Sequence, residues 1–161
     1  MMKGFRRRTY HNLAEIWADF HYISTRRALV RRAMRELLSS TFRERLMVTV
    51  TQVNQCRYCR SFHSQEALKA GLDRDELAML LEGQIPADTP PDEIPALLYA
   101  MHWAETDAQP DPQAVQQLTK RYGEDIAQAI HVVLRMIRMG NLMGNTVDYI
   151  LYRLTFGRAG A

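Results

Sequence analysis

Cysteine is nearly absent from this chain: it has two, Cys56 and Cys59, and both fall in one short stretch. With none left over for a framework of disulfides, the fold must be held by its core, which 161 residues are enough to bury. Long apolar runs are missing too; nothing approaches the roughly 20 residues a membrane span needs. The opening Met-Met-Lys-Gly-Phe-Arg-Arg-Arg carries charge with no apolar segment behind it, unlike a secretory signal. The expectation is a cytoplasmic protein with no membrane association, in a reducing compartment where a dithiol can cycle. No flavin, haem or nucleotide motif occurs, so no cofactor is expected and any electrons fall to the cysteines. Nor is there a repeat, a low-complexity tract or a linker, and residues 1–161 read as a single domain.

Charge is present but uneven. Residues 1–45 carry eleven Lys/Arg against four Asp/Glu, a balance of +7, and the remainder carries −4. Arg26, Arg27, Arg31, Arg32 and Arg35 recur at helical spacing and form a basic face. No aromatic or glycine-rich recognition motif accompanies them, so nucleic acid is not the expected partner. Solvent, or acidic residues of a neighbouring subunit, suit that face better.

Helical periodicity dominates, and the spacing predicts an all-α bundle. Leu13, Ile16, Trp17, Phe20 and Ile23 form one apolar stripe, continued weakly through Val30, Met34 and Leu37 or Leu38, and Ser39-Ser40-Thr41 breaks it. Thr41 and Glu44 have the spacing of a capping box opening a new helix. Leu46 to Val53 is apolar nearly all round, as in a central helix. Its Val and Thr content also permits a strand, but no other segment offers a pairing partner. Asn54-Gln55 marks a turn, Cys56 to Ala70 the next helix, and Gly71 its stop. Asp73 caps a short helix ending at Gly83, and residues 84–92, with three prolines, form a loop. Leu97, Leu98, Met101 and Ala104 share a face of the following helix, and Pro112 opens another that runs to Tyr122. Ile126, Ile130, Val133, Leu134 and Ile137 make the longest late stripe, with Gly144 or Asn145 expected to separate it from Val147, Ile150, Leu151 and Leu154.

On a helix, Cys56, Cys59 and His63 stand three and four residues apart and share one face, continued by Ala67 and Ala70. Cys56 at the helix start meets unpaired N–H groups and the positive end of the macrodipole, with Arg57 and Arg60 nearby, conditions that lower a thiol pKa. A single helix over 44–63 would hold Glu44 about 28 Å from His63. A hairpin turning at Asn54-Gln55 instead brings the two to similar heights. The expected relay runs Glu44, His63, Cys59, with the carboxylate fixing the imidazole tautomer and Cys56 as the second, more exposed thiol. Other readings stay open. Glu44 also suits the Thr41 box, the cysteines are small enough to serve as inert core residues, and the four side chains together have the donor types of a zinc site. The Tyr58 ring is expected in the core or at a pocket wall rather than as an acid, its hydroxyl within reach of the active thiol. Trp17, Trp103 and the methionines read as core or subunit-interface residues, and His11, His21, His102 and His131 as packing or surface residues.

The pattern Glu44-x11-Cys56-x2-Cys59-x3-His63, followed by Ala67 and Ala70-Gly71-Leu72, resembles the signature of alkylhydroperoxidase D-like proteins of the carboxymuconolactone decarboxylase superfamily. The match covers about residues 41–77. The resemblance implies an all-helical fold assembling as trimers or hexamers, and a dithiol that reduces peroxides or exchanges with disulfides. It assigns peroxide attack to Cys59, activated through His63 and Glu44, and completion of the disulfide to Cys56. No metal is expected. An external dithiol or protein reductant would restore the pair, most accessibly at Cys56. The best-studied peroxidases of the group have His where this chain has Tyr58. Members named as decarboxylases lack the paired cysteines, which disfavours lactone decarboxylation. A non-catalytic or zinc-binding member acting as an assembly module is the alternative.

Overall fold

The computed structural model describes residues 5–160. Eight α-helices, and no strand, occur among the described residues: α1 (Leu13–Thr25), α2 (Arg27–Arg32), α3 (Ser40–Asn54), α4 (Arg57–Ala70), α5 (Arg74–Leu81), α6 (Ile94–Glu105), α7 (Pro112–Tyr122) and α8 (Glu124–Leu154). A π-helical turn, Ala33–Leu37, continues α2. The all-α architecture and the helical hairpin carrying both cysteines are those the periodicity predicts.

The central helix is α3, with ten of its fifteen residues buried. It packs against α4, α5, α6 and α8, and Leu46 and Val50 share a core with Leu97, Ile130 and Leu134. An apolar sequence on all sides of a helix fits that surrounded position. One charge is enclosed with it: the Arg45 guanidinium bonds Glu76 at 2.5 Å and Glu93 at 2.9 Å, linking α3 to α5 and to the start of α6.

Caps set most boundaries. Asp73 accepts the Glu76 N–H, Asp111 accepts the Gln113 N–H ahead of Pro112, and Gly71 ends α4 at φ 107°. The predicted Thr41–Glu44 capping box does not form. Ser39 is the N-cap, its Oγ accepting the Phe42 N–H at 3.1 Å. Thr41 lies inside the first turn and donates to the Ala70 carbonyl at 2.9 Å, tying the start of α3 to the end of α4. That leaves the Glu44 carboxylate free for another partner.

Three further expectations need correction. The α1 stripe does not enter the core, one of the two places expected for Trp17: Leu13, Trp17 and Phe20 face outward, and the buried residue of this helix is Asp19. Asp19 accepts from Tyr10, Arg135 and Arg138 at 2.6–3.0 Å, so α1 is held to α8 by a polar cluster, leaving its apolar side turned away. On α6, Leu98 is likewise exposed while Leu97, Ala100 and Ala104 are buried. Finally, α8 runs unbroken through Gly144 and Asn145. These residues meet the hairpin rather than ending a helix. Asn145 donates to the Asn54 carbonyl at 2.7 Å, and Asn141 joins Asn54 and Thr51 at 3.1 Å each. The last turn of α3 is thereby fastened to α8. Gln55 follows in the left-handed region at φ 55° and turns the chain into Cys56.

Candidate active site

Cys56 is the N-cap of α4: its backbone is extended and its sulfur accepts the Cys59 N–H at 3.3 Å. The two sulfurs, both free thiols, lie 2.8 Å apart. An N-cap sulfur surrounded by donors is a place for negative charge. The hydrogen bond with the Cys59 thiol pulls the Cys56 thiol down to about 7; burial opposes this, and backbone N–H groups of Cys59 and Tyr58 add to the lowering. Cys59 moves the other way, raised by holding the shared proton against Cys56 and by burial, with a hydrogen bond from Asn141 in opposition.

The packing reverses the expected accessibility. Cys56, predicted as the more exposed thiol, is fully buried, and Cys59 is partly exposed. The cause is the approach of α8. A Cβ on Gly144 would lie 2.8 Å from the Cys56 sulfur, and one on Gly140 would lie 3.9 Å from the Cys59 sulfur. Only a residue without a side chain lets α8 close over Cys56 at Gly144.

The hairpin brings Glu44 and His63 together as expected, Oε2 to Nδ1 at 2.9 Å, with both side chains mostly buried. A carboxylate at Nδ1 assigns the proton to that nitrogen and leaves Nε2 as the acceptor. The second leg of the relay is not closed: no hydrogen bond among the described residues joins the imidazole to either sulfur. His63 follows Cys59 by one helical turn on the same face.

Tyr58 differs from expectation. Its ring is half-exposed and its hydroxyl turns from the thiols, donating to Asp148 at 2.8 Å and accepting from Arg57 at 2.9 Å. Among the described residues no three His, Cys, Asp or Glu side chains converge as a metal-ligand set. Gly140, Asn141, Gly144 and Asp148 were not singled out from the sequence as parts of this site. The signal was present in Gly140-Asn141-Leu-Met-Gly144-Asn145, two glycines one turn apart in a helix that they weaken, which marks a close approach.

The carboxymuconolactone decarboxylase family model matches residues 20–106, a span from α1 to the end of α6 that contains Glu44, Cys56, Cys59 and His63. Comparison with curated proteins and with solved structures gave no match.

Proposed function

The chain belongs to the carboxymuconolactone decarboxylase family, and we propose that it is a thiol-dependent oxidoreductase of the alkylhydroperoxidase D-like type, reducing peroxides or exchanging with disulfides. The observation that carries this reading is the contact of two free sulfurs at 2.8 Å beside an imidazole oriented by Glu44.

Cys59 is the attacking sulfur, because it is the one that solvent reaches. Its proton passes to Nε2 of His63 by a small rotation of either side chain. The thiolate displaces alkoxide from the peroxide and becomes a sulfenic acid, while the imidazolium returns its proton to the alkoxide, giving the alcohol. Cys56, already thiolate near neutral pH, attacks the Cys59 sulfur and expels hydroxide, which takes up a proton to leave as water. Two thiols and one peroxide give one disulfide, one alcohol and one water. Reduction begins at Cys59, the reverse of the sequence-based expectation. An incoming thiolate bonds to that sulfur and releases Cys56, the better leaving group because its thiol is the more acidic. A second thiol of the reductant then frees Cys59 and leaves the reductant as its disulfide.

Titrating free thiols before and after one equivalent of an organic hydroperoxide tests this. Both thiols should be lost together, with dithiol treatment restoring them and Cys56→Ser/Cys59→Ser abolishing turnover. Thiols unchanged by both peroxide and a small disulfide, or turnover surviving in the double variant, would overturn it.

A further inference from the structure

Outside the sulfurs and the Glu44–His63 pair, the polar cluster in closest touch with the dithiol segment centres on Asp148. Its side chain is completely buried. Oδ2 accepts Arg7 Nη1 at 2.7 Å; Oδ1 accepts Arg57 Nη2 at 2.7 Å and the Tyr58 hydroxyl at 2.8 Å. Two of these three donors are the residues between Cys56 and Cys59. Asp148 lies outside the residues the family model matches, so membership assigns it no role.

We infer that Asp148 is a positioning residue of the dithiol: by clamping both intervening residues of Cys56-Arg57-Tyr58-Cys59 to α8, it keeps the Cys56 sulfur covered and leaves Cys59 to meet oxidant and reductant. The inference rests on the redox reading above for its functional meaning, although the clamp itself is geometric. Asp148 follows Gly144 by one turn on the same face of α8, so the glycine admits Cys56 and the carboxylate grips the residues just beyond it. The Arg57 guanidinium also stacks 4.8 Å from the Tyr58 ring centroid, so both intervening side chains are fixed as a unit. Arg7 continues from Asp148 to the Gly160 carbonyl, binding the segment before α1 and the chain after α8 into the same cluster.

The carboxylate also has an electrical effect. Burial pushes the Asp148 pKa up, but the hydrogen bonds from Tyr58, Arg7 and Arg57 outweigh it and hold the group below the usual carboxylate range. It is therefore charged wherever the thiols titrate, and its charge opposes ionisation of Cys56. The other charged or titratable groups around the pair are Arg57, Tyr58 and Cys59 on α4, Arg7 before α1, and the Glu44–His63 pair. A clamp that only held the fold together would leave the relative reactivity of the two sulfurs unchanged.

Initial rates of iodoacetamide modification, resolved by site with mass spectrometry between pH 5 and pH 9.5, separate these roles. In the reduced wild type Cys59 should be modified first. In Asp148→Asn the Cys56 rate relative to Cys59 should rise about tenfold, and the Cys56 midpoint should fall below its value near 7 as the opposing charge is lost. Tyr58→Phe removes one strut and keeps the charge, so the ratio should rise about threefold with no change in midpoint. A folded Asp148→Asn protein with the wild-type ratio and midpoint overturns the inference. Should that variant fail to fold, the wild-type ratio in Tyr58→Phe overturns it alone. Alkylation needs no peroxide, so a shifted ratio in a protein that leaves peroxides and disulfides unreduced upholds the clamp and sinks only the proposed activity.

Discussion

Glu44 and His63 are nineteen positions apart, and their 2.9 Å contact can be weakened with both sulfurs kept. Glu44→Gln keeps the size of the side chain and still accepts the Nδ1 proton, but it replaces the carboxylate that faces the imidazolium formed during proton transfer with a neutral amide. Peroxide or disulfide reduction should fall roughly 100-fold, in the range of general acid–base contributions, while helix content and melting temperature stay near wild type. An undiminished rate would remove Glu44 from the mechanism. The Cys56 thiol supplies a separate expectation. Its native pKa of about 7 is depressed below the roughly 8.5 of an unfolded thiol. A depressed acid stabilises the fold as its anion, so the contribution is complete above about pH 8.5 and is lost as pH falls through about 7. Urea stability of wild type minus that of Cys56→Ser should therefore shrink between pH 8.5 and pH 6. A difference that is flat across that window would show that the sulfur is not held as a thiolate.

At the scale of the element, most caps and turns were legible because they are local chemistry, the start of α3 excepted, where Ser39 and not Thr41 is the cap. Asp73, Gly71, Pro112 and the Asn54-Gln55 turn each fix a boundary with atoms a few residues away, and the structure has those boundaries. Cys56, Cys59 and His63 were legible from helical spacing, and Glu44 from its height across the hairpin once that turn was granted. What escaped depends on long-range packing. The side of α1 that is buried is set by Arg135 and Arg138 more than a hundred positions away, so the sequence leaves open whether its apolar stripe faces the core or a neighbouring subunit. Gly144 was read as a break because a glycine in a helix and a glycine between helices look alike until the partner is known. The two α8 glycines now make opposite predictions. Gly140→Ala places its Cβ at an ordinary 3.9 Å from sulfur and should stabilise the protein by up to about 1 kcal/mol through helix propensity. Gly144→Ala brings its Cβ to 2.8 Å from the Cys56 sulfur and 3.3 Å from the Tyr58 ring. Overpacking of about 1–3 kcal/mol should there exceed the same gain. Thermal or urea unfolding of the two variants reads the sign directly, and stabilisation by Gly144→Ala would contradict the contact that buries Cys56.

For the whole molecule the unusual quantity is apolar surface left outside. Leu13, Trp17 and Phe20 are 81%, 65% and 48% exposed along α1. Met143, Val147, Ile150, Leu151 and Leu154 form a second outward stripe on α8. Between α1, α2 and the π-turn lies a groove of about 610 Å³ with Ile23, Val30, Met34 and Met139 in its lining, edged by Arg27, Arg31 and Arg35. Monomeric soluble proteins seldom expose contiguous apolar area beyond a few hundred Å². We propose that further copies of this chain cover these faces, in keeping with the trimers or hexamers that the resemblance implies. No helix of the described chain is long and apolar enough to cross a membrane. The Trp17 ring, 5.8 Å from that of Phe20, is the side chain of α1 best suited to anchor such a contact, since exposed aromatic anchors carry a large share of interface energy. Trp17→Glu removes that anchor on a face with little to lose within the protomer, so helix content should be unchanged. Sedimentation velocity at micromolar concentration should show the wild type as an oligomer and the variant shifted towards the monomer by tenfold or more in dissociation constant. A wild type that sediments as a monomer across that range would leave the α1 face uncovered and remove the assembly from the proposal.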